Sequence, residues 1–302
     1  MLSVLSDFLI EKDVEYTVGI SMSDISPIGI GGLAQLYAVP STKEKLVDLI
    51  DLIEKNKIEY TLVGGMSNLL PQDNEYQGVI ISTKGIKKIV FDKENVNADA
   101  GVYLPRLIKE AGARSLGGME ALSGIPGTVG GALVSNAGAF GTSISDFLIC
   151  AEFLDPKRES IVTLYKDQLE FSYRRSIVKS RGLLALNATF RLESIKKEEI
   201  RNRIKRFRDM RAAAQPIGER SLGSVFKRFC GVGAGYYIDA CGLKGLRVGG
   251  AQISQKHAGF IVNSGGATAS DYLALVDVAR RRVKEKFGLE LELEIEVMGS
   301  AK

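Results

Sequence analysis

The chain has 302 residues, 45% hydrophobic and 25% charged, which is enough for two or three domains with their own cores and too apolar for a largely disordered chain. Its formal charge of +4 comes without a Lys/Arg run long enough for a nucleic-acid tail, and no stretch reaches the ~20 apolar residues of a membrane helix, so neither nucleic acid nor membrane insertion is expected. Cys150, Cys230 and Cys241 form no C-x-x-C pair; their odd number argues for a reducing, cytoplasmic setting rather than a disulfide framework, and the N-terminus lacks the basic start and apolar core of a signal peptide.

In chain order, the first clear element is a helix starting at Ser41 (STKEKLVDLIDLIEKNKIEY). Ser41 and Glu44 fit a capping box, and Leu46, Leu49, Ile50 and Ile53 fall on one face. Residues 60–63 then read as a buried strand ended by Gly64 and Gly65, residues 78–82 as a second strand, and residues 104–111 as a short helix. This alternation indicates an α/β or α+β domain. Residues 117–141 (GGMEALSGIPGTVGGALVSNAGAFG) differ: small residues dominate and helical periodicity is poor. Such a run predicts backbone packed against something other than side chains. A strand follows at residues 183–192, then a polar helix at 197–213 with Ile200, Ile204 and Phe207 on one side, and a second small-residue region at 223–250. A long helix is predicted over residues 269–287, capped by Thr268 and Asp271 and stopped by Gly288. Residues 289–297 (LELELEIEV) alternate with period two, which predicts a strand with one buried face and Glu290, Glu292, Glu294 and Glu296 on the other.

Some chemistry is excluded. The G-x-G-x-x-A match at Gly29 to Ala34 follows a proline and precedes a strand-like stretch, where a dinucleotide-binding turn needs a strand before it and a helix after it. The single histidine, His257, argues against a His-rich metal site and a Ser-His-Asp triad, so no metal is expected. The positive signal is the pair of Gly-rich loops, Gly64-Gly65-Met66-Ser67-Asn68 and Gly124 to Gly131. Glycines let backbone N–H groups reach phosphate oxygens, and Ser67, Asn68 and Thr128 add side-chain donors. Two tight turns without a ligand are the other reading of these loops.

The segments IGIGGLAQLY (Ile28 to Tyr37), VGGMSNLL (Val63 to Leu70) and GIPGTVGGALVSNAGAFG (Gly124 to Gly141) resemble, in that order, the FAD-binding domain of the UDP-N-acetylenolpyruvoylglucosamine reductases of bacterial cell-wall synthesis. FSYRRS (Phe171 to Ser176), GSVFKR (Gly223 to Arg228), AGYYIDACGLKGLRVGGAQIS…HAGFIVN (Ala234 to Asn263) and LELEIEVMG (Leu291 to Gly299) resemble their catalytic motifs, so the likeness covers nearly the whole chain. It implies an α+β fold: a two-part FAD-binding domain of the vanillyl-alcohol-oxidase type over residues 1–196, split near 72–76, and a C-terminal α/β substrate domain over 197–302. The absence of an insertion after Ser176 looks like the compact subtype, and a monomer is expected.

By the same resemblance, FAD is held through Gly64, Gly65, Ser67, Asn68, Gly124, Ile125, Gly127, Thr128, Gly130 and Gly131. NADPH reduces the FAD, which passes a hydride to the enolpyruvyl group of UDP-N-acetylglucosamine enolpyruvate and yields UDP-N-acetylmuramate. Ser224 matches the proton donor; without its motif it reads as a turn serine. Arg174 matches the arginine at the substrate carboxylate, where a planar guanidinium stabilises developing charge, and Arg175 reads as a solvated neighbour. Glu294 matches the acid of the C-terminal motif, with Glu292 and Glu296 two positions away in a row that also reads as a solvated face. Tyr173, Lys227 and Asn263 are substrate-binding candidates, and His257 is assigned no role. Met66 stands where the family has glycine, and Phe229-Cys230 where a proline often follows. Another FAD oxidoreductase on the same fold, reoxidised by oxygen, and a non-catalytic nucleotide-sugar binder are the competing functions.

Overall fold

The computed structural model describes residues 2–298; Met1 and residues 299–302, including Gly299 of the last motif, lie outside the described residues. The chain forms two compact units, each assembled from separated segments. The first takes the chain up to Val18, Leu36–Gly65 and Gly78–Asp209; the second takes Gly19–Gln35, Met66–Gln77 and the chain from Met210 onward. Among the described residues no helix is long and apolar enough to cross a membrane.

Most residues of a sheet with strand order Glu15–Ser21, Leu33–Val39, Tyr76–Ser82, Tyr60–Val63 belong to the first unit. The last two run parallel, Tyr60 opposite Val79, and the connection between them holds the first Gly-rich loop. The helix Lys43–Lys55 buries Leu46, Leu49, Ile50 and Ile53, as its periodicity predicts. Its cap is one residue later than expected: Thr42, not Ser41, accepts from the Lys45 N–H at 3.2 Å. Glu44 then sits in the first turn, where its backbone hydrogen bond and the Thr42 hydroxyl hold its carboxyl below the usual range. A second sheet is antiparallel throughout, in the order Ser160–Tyr165, Leu148–Asp155, Leu184–Arg191, Asn95–Asp99, Ile89–Asp92. Phe153 and Phe190 are fully buried in it, each stabilising the fold by about 1.5–3 kcal/mol.

The small-residue stretch holds a 3₁₀ turn, Met119–Leu122, and a short helix, Val129–Ser135. Its glycines are needed largely against the chain itself, contrary to the sequence expectation. A Cβ on Gly118 would lie 2.9 Å from the Phe147 ring, and one on Gly130 2.9 Å from the Ala100 Cβ.

In the second unit the strands Ser221–Ser224, Phe260–Asn263, Ala251–Ile253 and Arg247–Val248 form an antiparallel sheet in that order. The helix Ala269–Phe287 buries Tyr272, Leu275, Val276, Ala279 and Val283. Thr268 and Asp271 make the predicted capping box, and Gly288, at φ 68°, ends the helix. A further cap was not legible in the local sequence: Asp73 accepts from the Ala269 and Ser270 N–H groups at 2.6 and 3.0 Å. It thereby ties the segment Met66–Gln77 to a helix some two hundred residues further on. Asp73→Ala is expected to lower stability by about 1–2 kcal/mol, read as a shift in the urea midpoint at unchanged slope; an unmoved midpoint contradicts this role.

The C-terminal alternation is not one strand. Only Glu296–Val297 pairs as a strand, parallel to Leu69–Leu70, while Leu293 makes a single bridge to Phe226. Leu291 and Ile295 are buried, so the pattern reports one-sided burial of an extended segment whose partners change along its length. The region 223–250 also contains a helix, Ala234–Ala240, that small residues hid from the periodicity.

Candidate active site

The two Gly-rich loops touch within the first unit. A Cβ on Gly65 would lie 3.2 Å from the Gly127 Cα, and one on Gly64 would collide with the Thr128 hydroxyl. Glycine is thus needed for the loops to meet. Leu104 donates to the Gly127 carbonyl and Val129 to the Val102 carbonyl, both at 2.9 Å. The N–H groups of Gly65, Gly127 and Thr128 have no acceptor among the described residues. Three unclaimed backbone donors on two touching loops suit a diphosphate, and the residues fit FAD. Other members of the expected set use their N–H internally: Ile125 to Leu122 at 3.0 Å, Gly130 to Ala100 at 2.8 Å, and Gly131 to the Thr128 hydroxyl at 3.3 Å. Gly124 is half-buried in the same loop.

The rest of the first loop belongs to the second unit. Met66 takes a left-handed φ of 53°, which costs a residue with a Cβ about 1 kcal/mol, and its side chain is buried. The position therefore has the backbone that favours glycine, as the family pattern requires, and the extra side chain finds buried space. Ser67 is half-buried. The Asn68 side chain is engaged elsewhere than expected: its Nδ2 donates to the Glu294 carbonyl at 2.9 Å, and its own carbonyl accepts from the Glu296 N–H at 2.9 Å.

Arg174 sits at the tip of a tight turn in the first unit. Ser172 and Arg175 exchange backbone hydrogen bonds of 3.0 and 3.2 Å, which leaves Tyr173 and Arg174 as the turn residues. Arg174 has φ 55°, the left-handed position normally filled by glycine or asparagine. Its Nη1 donates to the Gly138 carbonyl at 3.2 Å, and its guanidinium lies 5.5 Å from the Tyr173 ring centre. Arg174 and Tyr173 are thus brought together; Arg174 is half-buried, while Tyr173 and Arg175 are exposed.

Ser224 and Glu294 lie on adjoining segments of the second unit. The Lys227 N–H donates to the Glu292 carbonyl at 2.8 Å, and the Glu294 N–H to the Val225 carbonyl at 2.9 Å. The bridge between Phe226 and Leu293 is antiparallel. The Ser224 hydroxyl, half-buried after Gly223 at φ 79°, donates to the Phe226 carbonyl at 3.0 Å. The four glutamates separate by environment. Glu290 pairs with Lys284 at 2.6 Å, and Glu292 pairs with Lys227. Both carboxylates are exposed, whereas Glu294 and Glu296 are half-buried. The Lys284 ammonium holds the Glu290 carboxyl below its usual range.

Asn263 differs from the substrate-contact expectation. Its Nδ2 donates to the Ile28 and Gly29 carbonyls at 2.9 and 3.1 Å, and its Oδ1 accepts from the Gly265 and Ala267 N–H groups at 3.0 and 3.2 Å. All four hydrogen-bonding positions of the amide are therefore occupied by backbone. His257 accepts from the Gly259 N–H through Nδ1 at 3.0 Å, and burial lowers its pKa, as befits a structural imidazole. Among the described residues no cluster of three His, Cys, Asp or Glu side chains is placed to hold a metal ion.

Sequence reasoning passed over Asn136 and Ser176. Asn136 ends the helix Val129–Ser135 at φ 44°, a signal readable as asparagine closing a helix ahead of small residues. Its side chain reaches the arginine turn: Nδ2 donates to the Ser172 carbonyl at 3.1 Å.

Comparison with known proteins places both parts of the chain. Residues 34–164 match the model of an FAD binding domain, and residues 215–298 that of the C-terminal domain of UDP-N-acetylenolpyruvoylglucosamine reductase. The chain is 38% identical over 270 residues, 89% of each chain, to the UDP-N-acetylenolpyruvoylglucosamine reductase of Caldanaerobacter subterraneus. It is 38% identical over 300 residues, 99% of each chain, to that of Latilactobacillus sakei. Its structure is similar to that of the UDP-N-acetylenolpyruvylglucosamine reductase of Thermus caldophilus, with a TM-score of 0.79 at 35% identity, covering 94% of this chain and 98% of the other.

Proposed function

This chain belongs to the UDP-N-acetylenolpyruvoylglucosamine reductase family, and from that premise we propose that it reduces UDP-N-acetylglucosamine enolpyruvate to UDP-N-acetylmuramate, an oxidoreductase step of peptidoglycan synthesis in the cytoplasm. The fold is α+β, with an FAD-binding domain of the vanillyl-alcohol-oxidase type and a C-terminal domain. FAD, when bound, supplies hydride transfer from NADPH to the enolpyruvyl methylene. The backbone donors of Gly65, Gly127 and Thr128 would hold its diphosphate, with Gly64 keeping the loops close and Gly130 letting the second loop's helix pack on Ala100. Asn68 and Asn263 act here through backbone contacts within the second unit rather than by touching cofactor or substrate.

Hydride arrival at the methylene places negative charge on the adjoining carbon and its carboxylate. The Arg174 guanidinium binds that carboxylate and stabilises the charge as it grows. Ser224 delivers the proton to the adjoining carbon. Serine is a weak acid in water, and it serves because the enolate is strongly basic and the hydroxyl is fixed beside it. To do so the hydroxyl rotates away from the Phe226 carbonyl. Glu294 supports the transfer as the half-buried carboxylate next to the Ser224 segment, while Glu292 is occupied by Lys227. Tyr173 and Lys227 bind the substrate, Lys227 exchanging its Glu292 partner for an anionic group.

The observation that carries this proposal is the antiparallel pairing of the segments that bear Ser224 and Glu294 inside one unit, which brings the backbone of the two candidate residues onto neighbouring stretches of chain. The steady-state test is oxidation of NADPH by the purified protein with and without UDP-N-acetylglucosamine enolpyruvate. One UDP-N-acetylmuramate per NADPH is expected; NADPH oxidation that ignores the nucleotide and consumes oxygen contradicts the assignment.

A further inference from the structure

Three hydrogen bonds fasten the arginine turn to the end of the helix Val129–Ser135 and the residues that follow it. The Asn136 Nδ2 donates to the Ser172 carbonyl at 3.1 Å, the Ser176 hydroxyl to the Val134 carbonyl at 2.9 Å, and the Arg174 Nη1 to the Gly138 carbonyl at 3.2 Å. Asn136 is the most demanding of these partners. It is buried, left-handed and bonded at both ends of its amide, with Oδ1 accepting from the Ser145 N–H at 3.4 Å. The Ser172 carbonyl it grips is also the one that accepts the Arg175 N–H and closes the turn. Both acceptor directions of that carbonyl are therefore used, and the base of the turn is fixed in orientation. A turn whose tip carries an arginine at φ 55° relaxes to another shape unless its surroundings hold it.

We propose that Asn136 is a positioning residue for Arg174: its amide holds the turn in the strained form that aims the guanidinium at the substrate carboxylate. The same residue caps the helix that begins at the second Gly-rich loop, with Thr128 as its N-cap. One short helix thus joins the cofactor loop to the arginine turn. This role rests on the assignment of Arg174 to the substrate carboxylate.

The test uses the FAD-loaded full chain and separates the two half-reactions by stopped flow. Asn136→Gly keeps the left-handed backbone and removes only the amide. It is expected to slow reoxidation of the reduced flavin by UDP-N-acetylglucosamine enolpyruvate by about 10- to 100-fold, the cost of a misplacement of about 1 Å. Reduction by NADPH is expected to change by less than about twofold. In an Arg174→Lys background the same substitution is expected to add less than about twofold, because the group it positions is already gone. Ser176→Ala, which removes a second tie, is expected to show the same signature at smaller size, and serves if Asn136→Gly folds poorly. Full additivity with Arg174→Lys, or equal slowing of both half-reactions, overturns the positioning role, since either places Asn136 in the general fold. So does unchanged reoxidation in Asn136→Gly while Arg174→Lys is slow. Unchanged reoxidation in Arg174→Lys itself removes the assignment of Arg174, a failure distinct from that of Asn136.

Discussion

Ser224→Ala is expected to slow reoxidation of the flavin by UDP-N-acetylglucosamine enolpyruvate by about 10³-fold, while flavin reduction by NADPH proceeds at the native rate. In the proposed mechanism the hydroxyl protonates the carbon next to the methylene that receives the hydride, so its loss is expected to fall on one half-reaction alone. Among the described residues the hydroxyl donates only to the Phe226 carbonyl, within its own loop. Alanine therefore forfeits a single hydrogen bond, about 0.5–1.5 kcal/mol, and leaves the fold in place. Ser224→Cys restores a dissociable proton in the same position and is expected to recover part of the rate. Reoxidation unchanged in Ser224→Ala would remove the residue from the mechanism.

Arg174→Gly is expected to dissociate activity from stability. Removing a preorganised charge from the developing carboxylate costs about 10²–10³-fold in reoxidation. The backbone gains, because glycine occupies φ 55° without the penalty of about 1 kcal/mol that a Cβ incurs. That gain offsets the lost Arg174–Gly138 hydrogen bond, and the extra backbone entropy of glycine opposes it. Net stability by denaturant titration is expected to move by no more than about 1 kcal/mol. A large loss of stability would make Arg174 a structural residue; reoxidation at the native rate would show that the carboxylate is held elsewhere.

Much of this architecture was written locally. The helix Ala269–Phe287 was legible at both ends, because its cap residues, Thr268, Asp271 and Gly288, are its sequence neighbours. The left-handed tip at Arg174 was not, since arginine gives no propensity signal for it and only the closing bonds between Ser172 and Arg175 reveal the turn. The alternation at residues 289–297 was read correctly as one-sided burial and wrongly as one strand. Its partners, near Phe226 and Leu69, are remote in sequence, and periodicity carries no information about pairing. Polar residues were the hardest. Asn68 and Asn263 advertise donors, and composition cannot say that backbone carbonyls of Glu294, Ile28 and Gly29 already accept from them. Glycine misled in the same way: Gly118 and Gly130 serve close approach within the chain, whereas the N–H groups of Gly65 and Gly127 have no acceptor among the described residues.

The most direct test of the central claim is an anaerobic visible spectrum of the FAD-loaded protein, first with NADPH and then with UDP-N-acetylglucosamine enolpyruvate. The visible flavin band is expected to bleach with NADPH and to return in full on addition of the enolpyruvyl nucleotide. A band that bleaches but returns only when oxygen is admitted would contradict the account and indicate an oxidase.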